Sequence, residues 1–206
     1  MTTLPVLGPE GLKALGLVPI TDIYEAGFSL AKPKQWNTQD GGGFTFTLLR
    51  DGKEVAYVEN SGTGGGAWPQ WGMTLKSSKA FVEEARVEFE RLVSKMPTYT
   101  YSDMELTVSA DLVFEEMLFA HDLCKKMAKG TPILVNPADK GRSYMRFKGV
   151  LDDALRAYIA KTPKLAHHVL LNDLVVTLGE KPSPKTPKVP SPSRRKLDEL
   201  IAREEG

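Results

Sequence analysis

Asp51-Gly52, set inside FTFTLLRDGKEVAYVE (residues 44–59), constrains the fold more than any other feature of this sequence. Apolar and polar residues alternate on both sides of the pair, which is the period of a half-buried strand. Asp-Gly favours a type I′ turn because both central residues take positive φ, so the segment is expected to form a two-residue hairpin. That loop length sets a register, with Arg50 opposite Lys53, Leu48 opposite Val55, Phe46 opposite Tyr57 and Phe44 opposite Glu59. Phe46, Leu48, Val55 and Tyr57 then share the face expected to be buried. A slip of one residue would turn all four into water.

The rest of the chain supplies helices around this hairpin. Residues 9–17 suit a short helix, with Pro9 in its first turn and Gly16 at its end. Residues 32–43 read as loop. MTLKSS, residues 73–78, is a candidate third short strand. Phe81, Ala85, Phe89, Leu92 and Met96 form one apolar stripe, predicting a helix over 79–96 that Pro97 stops. A second helix is expected over 110–128. Its seam is Val113, Met117, Ala120, Cys124 and Met127, and Asp111, Glu115, Asp122 and Lys126 mark its wet side. YTYSDMELTV reads as strand or extended linker. TPILVN and RSYMRFKG read as strands. A short helix over 150–161 turns Leu151, Ala154, Leu155, Tyr158 and Ile159 inward. HHVLLNDLVVTL closes as one strand, or as two split near Asn172-Asp173. The order β-β-(β)-α-α-β-β-α-β pairs strands as hairpins, which favours an α+β fold with a largely antiparallel sheet, two main helices and a third short one.

Residues 1–180 are expected to form a single globular domain. Residues 181–196, KPSPKTPKVPSPSRRK, hold five prolines and six basic residues with no acid. That composition gives an extended, polyproline-like linker, followed by a short amphipathic segment to residue 206. The tail 181–206 carries net +3 against +1 for the whole chain, which leaves −2 for the body. Global nucleic-acid character is therefore absent, and any basic surface is local. One cysteine excludes a disulfide framework and a cysteine-rich zinc module. No apolar run reaches the ~20 residues of a membrane span, and the N-terminal segment lacks the basic start of a signal peptide. The expectation is a cytoplasmic protein with no membrane contact.

Chemistry-bearing patterns are sparse. Gly62, Gly64 and Ala67 match G-x-G-x-x-A, but Trp68-Pro69 stands where a dinucleotide fingerprint needs its helix. Consecutive amides at Gly64, Gly65 and Gly66 still offer an anion nest, against the alternative of a slack connection. Trp68 and Trp71, with Trp36 upstream, are either a stacking platform or sheet cover. His121 and Cys124 are helix neighbours, but Cys124 lies on the apolar seam and no third group orients the pair. His167 and His168 are adjacent; if they lie in a strand they point to opposite faces, so they cannot both bind one metal easily. Arg142, Tyr144, Arg146 and Lys148 alternate along one strand, giving a basic-aromatic face. No catalytic or metal-ligating set emerges, and no cofactor is implied.

The run FTFTLLRDGKEVAYVENSGTGG resembles a set of small uncharacterised proteins of phages and other mobile elements. They share a strand, a D-G-K turn, a second strand ending in Asn, and a G-x-G-G run. The resemblance implies a viral or mobile-element setting and no particular reaction. The leading expectation is a non-enzymatic binding protein, such as a phage accessory or host-directed factor, whose partner is a host or phage protein. Its contact residues are Lys53, Gly64, Gly65, Gly66, Trp68, Trp71, Arg142 and Arg146, with Arg194, Arg195 and Lys196 in the tail. The alternatives are a nucleic-acid-binding protein using the basic strand and tail, and a nucleotide sponge or small enzyme using the glycine segment.

Overall fold

The computed structural model describes residues 6–18, 20–73, 76–101, 104–138 and 143–176. It begins with β1 (Val6–Leu7), α1 (Pro9–Ala14), α2 (Thr21–Glu25) and β2 (Phe28–Asn37). The hairpin follows as β3 (Gly42–Arg50) and β4 (Lys53–Asn60), then β5 (Trp68–Trp71) and α3 (Lys79–Ser94). A small hairpin, β6 (Tyr99–Tyr101) and β7 (Met104–Leu106), leads to α4 (Ala110–Ala128). After β8 (Ile133–Val135), β9 (Met145–Arg146) and α5 (Asp153–Lys161), the described part closes with β10 (Val169–Leu170) and β11 (Val175–Val176). The fold is α+β, and its sheets are antiparallel.

The Asp51-Gly52 hairpin forms, with both turn residues at positive φ (49° and 74°). Its register departs from the expectation. Arg50 faces Lys53, but Leu48 pairs with Ala56, Phe46 with Val58 and Phe44 with Asn60. Val55 is the extra residue of a β-bulge between Leu49 and Leu48. A bulge sets two residues of one strand against one of the other. Val55 and Ala56 are accordingly both fully buried, and Val58 takes the core position expected for Tyr57. Tyr57 lies on the opposite face in register with Thr47.

Residues 32–43, expected to be loop, instead contribute six residues of a ten-residue edge strand and the first two of β3. β2 pairs with β3 from Phe28↔Arg50 to Asn37↔Gly42, broken by an irregularity between Ala31 and Lys34. Lys32 there adopts φ 53°, and Pro33 lacks the N–H that a regular ladder position needs. A bulge on an edge strand tolerates both, which is why alternation alone misses the strand. The third strand paired to the hairpin is Trp68–Trp71 rather than MTLKSS, whose Thr74 and Leu75 lie outside the described residues. The sheet order is thus β2-β3-β4-β5.

Helices α3 and α4 cover one face of this sheet. Serines cap both: Ser78 accepts from the amide of Phe81, and Ser109 from that of Leu112. Phe89 of α3 stacks on Phe114 of α4 at 5.1 Å between centroids and meets Phe28 edge-on at 5.3 Å. Phe114 in turn contacts Phe46 at 5.8 Å, so one aromatic cluster joins both helices to the sheet. The buried residues of α3 are Val82, Ala85, Phe89 and Val93. Phe81, Leu92 and Met96, expected on the core stripe, are half-buried beside it. On α4 the whole expected seam is buried, and so is Glu116 at 1% exposure, a carboxylate that periodicity does not single out. Asp111, Glu115, Asp122 and Lys126 are half-buried rather than fully wet.

The C-terminal part packs against α4 through short strands. β8 lies between β10 and β9. Asn172 fixes it by accepting the Ile133 amide at 2.9 Å and donating to the Thr131 carbonyl at 3.0 Å. The closing segment is two strands separated by a turn of 3-10 helix at Leu171–Asp173. α5 lies on the surface with none of its residues buried, and Tyr158, expected inward, is 56% exposed. Among the described residues, no helix is long and apolar enough to cross a membrane.

Candidate functional site

The two tryptophans flanking Pro69 go to opposite faces of β5. Trp71 is in register with Ala56 on the helix-covered face, and its ring meets Phe89 at 5.9 Å. Trp68 is in register with Glu59 on the other face and is 72% exposed. The separation of three residues decides this, because strand side chains alternate with a period of two. Proline between them is tolerated because β5 is an edge strand. One tryptophan is therefore sheet cover and the other a free ring beside the glycine segment.

The glycine segment is tethered at both ends. At its start, the Gly62 amide donates to Asn60 Oδ1 at 2.8 Å, and Thr38 Oγ1 donates to the Gly62 carbonyl. Gly62 has φ 75°, and a Cβ there would lie 2.7 Å from the backbone nitrogen of Gly43. Only glycine fits this close approach of two backbones. At its end, the Ala67 amide donates to Asp111 Oδ1 in the first turn of α4. Between the tethers Gly64 and Gly65 are exposed, and a Cβ on either would meet nothing within 4 Å. The middle is open and the ends are built.

This arrangement has a chemical consequence. A Cβ on Gly66 would sit 3.1 Å from the Asp111 carboxylate, which accepts the Ala67 amide, so the end of the segment already lies against a negative charge. A phosphate entering the same nest would meet that negative charge. The segment also runs into β5 rather than into a helix, which removes the anion-binding helix end that a dinucleotide fingerprint needs.

The other expected contact residues are scattered. Lys53 is exposed at the turn end of the hairpin, with its ammonium 5.1 Å from the Phe81 ring centroid. Gly64 to Gly66 leave from the far end of β4. Arg146 is exposed on β9, in a different sheet. Lys148 follows that two-residue strand in a bend. Tyr144 turns inward, 6.1 Å from the Phe119 ring, with its hydroxyl 3.1 Å from Lys126 Nζ. Arg142, Arg194, Arg195 and Lys196 lie outside the described residues. Trp68 follows Gly64, Gly65 and Gly66 along the chain, and among the described residues the expected cations Lys53 and Arg146 lie elsewhere, at the turn end of the hairpin and in another sheet.

Trp36 is a residue that sequence reasoning underweights. It stands at the opposite edge of the sheet, in register with Gly43, and is 38% exposed. A Cβ on Gly43 would collide with its indole, so the ring lies directly on the glycine backbone. The signal for it was a tryptophan one strand-pair away from a glycine run, legible only once β2 was known to be a strand.

Titratable chemistry is quiet. Cys124 is buried, and burial pushes its thiol up to about 12, so it stays protonated. Burial, aided by Lys125, holds the neighbouring His121 below its ordinary value. A neutral imidazole beside a protonated buried thiol is no activated nucleophile. Among the described residues no group of three or more His, Cys, Asp or Glu side chains is placed to hold a metal ion. No family model matches this sequence, and neither a curated protein nor a solved structure matches it.

Proposed function

We propose that this protein is a non-enzymatic binding protein that engages another protein through the exposed edge of its main sheet, centred on Trp68. The observation that carries the reading is the 72% exposure of Trp68 on an edge strand, beside a glycine segment anchored at both ends. Tryptophan is the side chain most enriched at interface hot spots, and an edge strand offers unpaired backbone groups to a partner. The Asp111 carboxylate behind the glycines favours a polypeptide over a phosphate ligand. The resemblance of residues 44–65 to phage and mobile-element proteins makes a host component the partner to search for first.

Quantitative affinity capture from host-cell lysate with wild type and Trp68→Ala tests this. Partners should be retained by wild type, be lost with Trp68→Ala, and survive nuclease treatment. Loss on nuclease treatment would point to nucleic acid instead. Equal capture by the two proteins would sink the proposal. Trp68→Ala should change stability by no more than about 0.5 kcal/mol, as for other exposed substitutions, so its effect reads binding. The packed Trp71→Ala control should cost about 2 kcal/mol or more.

A further inference from the structure

β2 is an outer strand of the main sheet, in the order β2-β3-β4-β5. The direction of its backbone groups follows from the turn that joins it to β3. The Thr38 amide donates to the Gly41 carbonyl at 2.7 Å, which makes Thr38 and Gly41 a hydrogen-bonded pair. Pairs in an antiparallel ladder alternate between bonded and non-bonded. Trp36, opposite Gly43, and Lys34, opposite Thr45, therefore turn their N–H and C=O groups towards β3. Gln35, opposite Phe44, and Asn37, opposite Gly42, turn theirs outward. Residues 34–37 are all exposed, and among the described residues nothing outside the sheet bonds the backbone of Gln35 or Asn37. A sheet edge with free donors and acceptors is a template for another strand.

The pattern around Trp36 is self-complementary. About a two-fold axis through Trp36, Gln35 of one copy lies opposite Asn37 of the other, and Asn37 opposite Gln35. Each of those pairs exchanges two backbone hydrogen bonds. Their side-chain amides project to one face, and each offers the other a donor and an acceptor. Trp36 falls opposite its own copy in the non-bonded position, where side chains come closest, which covers a ring that is 38% exposed. Charges match as well. Lys34 lies opposite Thr38 of the second copy and diagonal to its Asp40, a separation of about 7–8 Å that a lysine side chain bridges. Lys34 and Asp40 are exposed, and among the described residues neither has an ion-pair partner. Other registers lose bonds. A ladder centred one residue earlier sets Asn37 against Pro33, which has no N–H, at the bulge where Lys32 takes φ 53°. A ladder centred one residue later sets Gln35 against Gln39, inside the turn.

We infer that a second copy of this chain pairs antiparallel with residues 34–38, continuing the main sheet across a two-fold axis at Trp36. A cleft of about 260 Å³ opens between this edge and Leu118 and Phe119 of α4. Gln35, Trp36 and Asn37 line it, so the second copy also closes its mouth. The ladder is short, which makes the dimer concentration-dependent rather than obligate, since obligate interfaces bury about 2,000 Å² or more. The inference does not rest on the Trp68 reading, because β2 and β5 are opposite edges of the sheet.

Sedimentation equilibrium of the full chain, from micromolar to millimolar concentration, tests it. Wild type should pass from monomer to dimer. Asn37→Pro removes an outward N–H that its own sheet does not use, and by symmetry two bonds of the dimer. It should weaken association about tenfold or more, with circular dichroism checking that the monomer keeps its fold. Lys34→Glu and Asp40→Lys should each weaken association a few-fold, and the double variant should restore it. If Asn37→Pro unfolds, this charge exchange decides alone, since both positions are exposed. Trp68→Ala should leave the dimer unchanged. A wild type that stays monomeric at millimolar concentration would overturn the proposal. So would an undiminished dimer in folded Asn37→Pro, charge variants that do not rescue one another, or a dimer lost in Trp68→Ala, which would place the contact on β5.

Discussion

Asp111, in the first turn of α4, accepts the backbone amide of Ala67, tying the glycine segment to a helix forty-four residues further along the chain. The same carboxylate sits at the positive end of the helix dipole, where a negative charge is favourable. One side chain thus positions the entry to β5, and with it Trp68.

Removing this tether should loosen the segment without unfolding the protein. Asp111→Ala is expected to cost about 1–2 kcal/mol, the range for a hydrogen bond to a charged group that is only partly buried. Denaturant titration reads the cost, and hydrogen exchange at the Ala67 amide reads its location. Unchanged protection at Ala67 would show that the carboxylate does not hold the segment.

The bulge at Val55 separates two neighbouring residues that simple alternation would exchange. Val58→Ala, emptying a fully buried position opposite Phe46, should cost about 2 kcal/mol. Tyr57→Ala, on the half-exposed opposite face, should cost less, about 1 kcal/mol or under. Equilibrium unfolding of the two variants checks the register directly. The reverse ranking would mean that the hairpin runs without its bulge.

The glycines should rank by geometry and not by position in the run. Gly62→Ala combines φ 75° with a Cβ at 2.7 Å from the Gly43 nitrogen, and is expected to destabilise by 3 kcal/mol or so. Gly64→Ala meets no atom within 4 Å but must hold φ 85°, for about 1 kcal/mol. Gly65→Ala has neither penalty and should be neutral. Thermal unfolding of the three single variants is sufficient, and three equal effects would mean the segment is merely slack.

The buried acids set an alkaline limit. Burial raises the Cys124 thiol from its ordinary 9.0 to about 12, and raises the Tyr24 hydroxyl above its own ordinary value, with Cys124 and Glu116 contributing. For each group the unfolded chain releases its proton first. Stability is therefore complete below pH 9 and declines as pH rises towards 12. Denaturant midpoints measured between these limits should fall in wild type and fall less steeply in Cys124→Ala. Alkylation of the thiol in native protein should occur no faster than unfolding. Rapid labelling of folded protein would contradict the buried, protonated state.

The sequence by itself determined the elements whose signals are local. Asp51-Gly52 dictates a turn, the 3.6-residue recurrence from Val113 to Met127 dictates α4 and its seam, and Ser78 and Ser109 start their helices where capping chemistry allows. It also held the answer to the tryptophan question, because residues three apart on a strand must face opposite ways. It did not say that 68–71 is a strand.

Tertiary structure decided everything that depends on a partner strand or a distant side chain. β2 is a strand because β3 pairs with it, despite a Lys32-Pro33 interruption that denies it local periodicity. Val58 replaces Tyr57 in the core because one extra residue at Val55 shifts the register, and a bulge carries no sequence period. Likewise the ends of the glycine segment became fixed through Thr38, Asn60 and Asp111. Two of these lie more than twenty residues away, and hydrogen bonds at that range leave no trace in local pattern. Local propensity is set by neighbours along the chain, whereas register, exposure and close backbone approach are set by what the folded chain places across from them.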